Sequence, residues 1–179
     1  TILGISYEGN IVKMMISLPQ ILCLSYEDNI VPKLEKMQCR LELNDAELRK
    51  MMISLPQILC LSYEDNIVPK LEKMQCRLGL SDAELKKMIT SLPSIIGYSY
   101  EDNIVPSLEK LRCRLGLNDA ELKKIIISKP SILGISYEDN IVPSLEKLRC
   151  RLGLNDAELK KIIISKPSIL GYSYEDNIV

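Results

Sequence analysis

The sequence contains no histidine, no tryptophan and no phenylalanine, and its only aromatic residues are eight tyrosines. Its six cysteines include no Cys-x-x-Cys pair. Zinc modules are built from Cys and His at close spacing, so no metal and no cofactor is expected. No apolar run approaches the ~20 residues that span a bilayer, so no membrane partner is expected. Charge of one sign is also lacking. With 23 Lys and Arg against 24 Asp and Glu, the net charge is −1, too small to attract polyanions as a whole. No signal or transit segment is legible at Thr1, where the chain opens inside a repeat.

What the sequence does have is an octapeptide. SYEDNIVP starts at Ser25, Ser62, Ser99 and Ser136, 37 residues apart each time, begins again at Ser173, and has a worn form, SYEGNIV, at Ser6. A fixed period overrides chain length as a guide to architecture and points to a stack of repeats. The expectation is one array over 1–179. It comprises a broken unit at 1–24, full repeats at 25–61, 62–98, 99–135 and 136–172, and the start of another at 173–179. Cysteines follow the period, with Cys39, Cys76, Cys113 and Cys150 in one column and Cys23 and Cys60 in another. Stacked helices lie about 10 Å apart, beyond disulfide reach. The thiols are therefore read as reduced packing residues.

Ser136 to Tyr172 serves as the type unit. Ser136 is placed to cap a first helix, A, with Asp139 closing a capping box. Ile141, Leu145, Leu148 and Leu152 form its apolar stripe, and Gly153 supplies a left-handed end. Pro143 falls inside this pattern. Helix A either starts at the proline or starts at Ser136 and kinks there, and cap and stripe together favour the kink. Asn155 and Glu158 form a second capping box, and Leu154 and Leu159 a hydrophobic staple, opening helix B. Leu159, Ile162 and Ile163 face inward, while Ala157 and Ile164 form a flanking face, as a stack requires. Pro167 ends helix B, and the tail SILGY is read as a 3₁₀ turn. The fold class expected is all-α: a right- or left-handed α-solenoid of ~37-residue units, each with helix A, helix B and a short 3₁₀ turn, in a superhelical array.

The tetratricopeptide pattern needs Trp and Phe, ankyrin needs T-P-L-H, and pumilio-type repeats often carry a mid-helix aromatic; none fits. The stretch PSILGISYEDNIVPSLEKLRCRLGLNDAELKKIIISKP, Pro130 to Pro167, resembles the repeat of the mTERF (mitochondrial transcription termination factor) family. The prolines, the S…N-I-x-P turn and the L-G-L joint stand in place, and the resemblance covers the whole chain. It implies a helical solenoid that binds nucleic acid, double-stranded DNA or structured RNA, in a mitochondrion or chloroplast, in transcription or RNA metabolism.

Three departures stand out. Ser99–Gly134 and Ser136–Gly171 are identical at all 36 positions, whereas repeats of the family usually diverge. Recent tandem amplification accounts for this clustering better than a uniform consensus design. After Val12, 18 residues present between Val31 and Lys50 are absent, either deleted or outside this sequence. Glu42 replaces the cap glycine found at Gly79, Gly116 and Gly153, so that helix is expected to end less cleanly.

No catalytic set is expected. The carboxylates sit in first helical turns, where capping and the helix dipole account for them, and periodic residues cannot converge on one point. The candidate contacts to nucleic acid are basic columns: Arg40, Arg77, Arg114 and Arg151; Arg49, Lys86, Lys123 and Lys160; Lys50, Lys87, Lys124 and Lys161; and, in the later copies alone, Arg112 and Arg149. Lys36, Lys73, Lys110 and Lys147 form a further column, and Lys129 and Lys166 a short one. Net charge runs −1, 0, +1, +1 over the four full repeats. Stripes of this kind suit a phosphate backbone. On charge alone a solvated, ion-paired helix face is the better reading; the resemblance reverses the order. The tyrosines are expected to pack on the preceding unit's tail, with base stacking as the alternative. A protein-binding solenoid and a scaffold without an evolved ligand are the rival functions. The chain ends, lacking their periodic neighbours, are expected to allow head-to-tail self-association.

Overall fold

The computed structural model describes residue 16 and residues 18–171. The worn copy at Ser6, the break after Val12 and the partial copy at Ser173 lie outside the described residues. The described residues are helices and turns without a strand, an all-α fold. They divide into two compact units, Thr1–Gly97 and Tyr98–Val179. The first holds α1 (Val31–Arg40), α2 (Asp45–Ser54), α3 (Val68–Leu78) and α4 (Asp82–Ser91). The second holds α5 (Val105–Leu115), α6 (Asp119–Ser128), α7 (Val142–Leu152) and α8 (Asp156–Ser165). Odd-numbered helices are A, even-numbered are B. Each pair is followed by a 3₁₀ turn, as at Pro56–Cys60 and Pro130–Gly134, so each unit is a stack of the expected helix–helix–3₁₀ layer, an α-solenoid.

The octapeptide makes the entry to helix A. Ser136 Oγ accepts from the Asp139 N–H at 3.2 Å and donates to Asp139 Oδ2 at 2.6 Å, and Ser25, Ser62 and Ser99 do the same. The expected capping box is therefore only half formed: the carboxylate takes the serine hydroxyl, not its backbone N–H. Aspartate is one methylene shorter than the glutamate that closes the boxes of helix B. At Ser99 the backbone N–H goes instead to Asn103 Oδ1 at 3.1 Å.

The kink expected at the proline is replaced by a different solution. Tyr137–Ile141 and its three equivalents are π turns. Ile141 N–H donates five residues back to Ser136 O at 3.3 Å, and Val142 N–H to Tyr137 O. Proline lacks a donor, and its ring crowds the carbonyl four residues before it. Widening the preceding turn moves that carbonyl aside, and the α-helix proper starts at Val142 with Pro143 in its first turn.

The far end of helix A follows expectation. Gly79, Gly116 and Gly153 sit at φ 59, 57 and 62°, the left-handed region that glycine enters freely. Glu42 adopts φ 49° at the same place. Leu43 N–H still reaches Gln38 O at 2.9 Å, as Leu80 N–H reaches Gln75 O, and α1 is one residue shorter than α3. The backbone bonds hold a residue with a Cβ where one is disfavoured. The capping boxes of helix B are complete at Asn44–Glu47, Ser81–Glu84, Asn118–Glu121 and Asn155–Glu158.

Two packing expectations are corrected. Ile141, Leu145 and Leu148 are buried as read, but Leu152 is 57% exposed, while its equivalents Leu41 and Leu115 are 2% and 6% exposed. All six cysteines are free and exposed, not packed. Cys113 shows why. On helix A the buried positions are Leu108, Leu111 and Leu115, at spacings of 3 and 4, and Cys113 falls between them on the outer face.

Candidate nucleic-acid interface

Most of the basic columns are occupied in joining layers. Lys86, on α4, donates to Glu42 O at 2.7 Å and pairs with Glu47 at 3.0 Å, so it holds the left-handed end of α1 and the cap of α2 together. Lys160, on α8, repeats this on Gly116 O and Glu121, both at 2.7 Å. The Glu47 carboxyl is held below the usual carboxylate range by the Asn44 N–H and then by Lys86. For Glu121 the order is reversed, with Lys160 the larger cause and Asn118 the smaller. Arg49 and Lys123, in the same column, are also engaged.

The Arg40 column behaves alike. Arg40 donates to Gln75 Oε1 at 2.7 Å and to Asp82 Oδ1 at 3.0 Å, and Arg114 pairs with Glu146. Gln75 and Arg40 together hold the Asp82 carboxyl low. Arg77 and Arg151 are engaged as well, Arg151 on an exposed stretch. Arg112 and Arg149 pair within their own repeat, with Asp119 at 3.1 Å and Asp156 at 3.4 Å, and both arginine side chains keep more than a third of their surface in solvent.

One column differs. Lys50, Lys87, Lys124 and Lys161 are exposed, one on each helix B, and none of their ammonium groups has a hydrogen-bond or ionic partner among the described residues. Each unit carries two, at equivalent points of neighbouring layers, which stacked helices place about 10 Å apart.

Tyr63 and Tyr137 bond to the preceding helix A, where the preceding tail was expected. Tyr63 Oη donates to Lys36 O at 3.2 Å, the Lys36 ammonium lies 5.7 Å from the Tyr63 ring centre, and Lys36 pairs with Glu64. Tyr137, Lys110 and Glu138 repeat the set. Burial pushes both phenols up from their ordinary range. A polar cleft of about 340 Å³ opens beside the first set, lined among others by Asp28, Asn29, Lys33 and Glu64.

Lys33 is a residue that sequence reasoning missed. It is buried, and its ammonium donates to Leu59 O; Lys70 donates to Ile96 O. Burial lowers both lysines. The available signal was their confinement to the first two full repeats, where Ser107 and Ser144 later stand.

No helix among the described residues is long and apolar enough to cross a membrane. In comparison with known proteins, the mTERF family model matches residues 2–112 and 108–179. No curated protein matches the chain.

Proposed function

The chain belongs to the mTERF family, and on that premise we propose that it is a nucleic-acid-binding repeat scaffold that grips the phosphate backbone, in transcription or RNA metabolism of a mitochondrion or chloroplast. The observation that supports the backbone reading is the column Lys50, Lys87, Lys124 and Lys161. Lys36, Arg40, Lys86, Lys110, Arg114 and Lys160 hold layers together. The fold leaves Lys50, Lys87, Lys124 and Lys161 in water, at one position per layer. A solvated ammonium is free to displace a counterion from a phosphate at little desolvation cost. Arg112 and Arg149 extend the surface with donors that their single aspartate partners leave unspent.

Near-identical layers present near-identical groups, so binding is sequence-tolerant and tracks the backbone of duplex DNA or structured RNA. Six phosphate contacts, four from these lysines and two from the arginines, give a log–log salt slope of about −5 on duplex DNA. Replacing the four lysines by alanine should flatten that slope by about three to four units and leave thermal melting unchanged, since no ammonium among them has a partner to lose. A four-alanine variant that keeps its slope would refute the reading. So would a parent protein that fails to bind duplex DNA and structured RNA at low salt, which would favour a protein-binding solenoid.

A further inference from the structure

The period is broken at one point in the first unit. Among the four full repeats, only 25–61 carries both a lysine at this place on helix A and a cysteine in its tail, Lys33 and Cys60. The next repeat keeps the lysine, Lys70, with Gly97 in place of the cysteine, and the last two have Ser107 with Gly134 and Ser144 with Gly171. Residues that do not recur can form a single site, which the periodic columns cannot.

The two side chains meet at one cleft. The Lys33 ammonium is held on Leu59 O, one peptide unit before Cys60, and both residues line the polar cleft of about 340 Å³ between the first two full layers. Lys33 is 8% exposed, and Leu59 O is its only partner among the described residues, so two of its three N–H donors go unused in a buried place. Burial lowers the Lys33 ammonium from its ordinary range, with Cys60 and Glu64 opposing. A desolvated lysine supplies neutral amine, the nucleophilic form. The Cys60 thiol is exposed. The second unit has a cleft of the same size at the equivalent place, where Ser107 and Gly134 put neither amine nor thiol at these two positions.

We propose that the cleft of the first unit is a covalent capture site for small α,β-unsaturated aldehydes, held by Cys60 and Lys33 together. The Cys60 sulfur adds to the β-carbon of the aldehyde, and the thiol proton passes to the α-carbon. The Lys33 amine then attacks the aldehyde carbon, the oxygen leaves as water, and the new C=N bond closes a three-carbon bridge from Sγ to Nζ. Nothing is oxidised or reduced. With amine and thiol at one cleft, the second step is intramolecular. Capture needs no nucleic acid, and its test is read without any.

The test uses the full chain with Cys23, Cys39, Cys76, Cys113 and Cys150 changed to serine, all five being exposed, so that Cys60 is the one thiol. With one equivalent of propenal, this parent should gain the mass of propenal less one water. Lys33→Ser installs the residue type that the last two repeats already carry there; it should stop at the plain adduct and lose bridging at least about tenfold. Cys60→Gly with Gly97→Cys moves the thiol beside Lys70, which is likewise lowered by burial and bonded to a tail carbonyl, and should restore the bridge. ortho-Phthalaldehyde, which fluoresces on joining an adjacent amine and thiol, should rank the three proteins in the same order. A parent that stops at the plain adduct overturns the proposal, as does bridging that persists in Lys33→Ser or fails to follow the moved thiol.

Discussion

In the first unit, the side-chain amides of Gln38 and Gln75 donate to Asp45 and Asp82, both at 2.9 Å. In the second, Arg112 and Arg149 reach Asp119 and Asp156, the same aspartate of the same repeat. The fold asks for one donor here, and an uncharged amide supplies it. The positive charge of the second unit is therefore not set by packing. Lys33 and Lys70 show the converse. The first unit sets two ammonium groups, Lys33 buried and Lys70 half-buried, against tail carbonyls, and the second has Ser107 and Ser144 in their place. The first unit turns inward two cations that the second lacks, and the second sets on its surface two that the first lacks, a finer distinction than the net charges of −1 and 0 against +1 and +1.

Exchanging the residues that differ breaks or sharpens this contrast. The largest effect is expected in binding. Arg112→Gln with Arg149→Gln should flatten the salt slope on duplex DNA by up to about two units, worth about a hundredfold over a tenfold change in salt. Melting should hold, because glutamine already serves at Gln38. Gln38→Arg with Gln75→Arg should steepen the slope. Equal slopes in all three proteins would remove any difference between the units as binding surfaces.

Next in size is a packing difference. A Cβ built on Gly134 would lie 2.5 Å from the Tyr98 hydroxyl, whereas one on Gly97 would meet only Leu55 at 3.6 Å. Gly134→Ala should cost about 1–3 kcal/mol through overpacking. Gly97→Ala should be close to neutral in a chemical denaturation series. Equal costs would show that the Tyr98 ring gives way freely. Smallest is the cap. Glu42→Gly should stabilise the protein by about 1 kcal/mol by relieving a left-handed residue that carries a Cβ. Gly116→Ala should cost about the same. A Glu42→Gly protein that melts no higher would mean that α1 ends without strain.

The contacts legible in the sequence were those that span three to five residues. Asn155 with Glu158, Gly153 after Leu152 and proline after helix B each obey a local backbone rule, and each stands as read. Pro143 was legible as a disturbance but not as a π turn, because the choice between kinking and widening depends on where the stacked layer needs Ile141. The basic columns were legible as columns. Which of them face water was not. Lys86 reaches Glu42 across 44 positions, Arg40 reaches Asp82 across 42, and Lys33 reaches Leu59 across 26. Those partners are fixed by how one layer lies on the next, which no spacing within a repeat specifies. For the thiols, position outweighs residue type: Cys is among the residues most often buried, yet Cys113 falls off the apolar stripe of its helix and stands exposed.

Those long reaches carry a consequence for inheritance. Lys86, Arg40, Lys36 and Tyr63 each bond to a group in the adjoining layer and no farther. An in-frame gain or loss of one whole period inside the array leaves each of these side chains facing a partner of the same kind. A gain or loss of any other length shifts them all out of phase. Copying errors in the gene are thus expected to be sorted by length, with changes inside the array tolerated best in steps of 37 residues. Alleles of such a locus are expected to differ by whole periods, a distribution that sizing the coding sequence across a population would display directly.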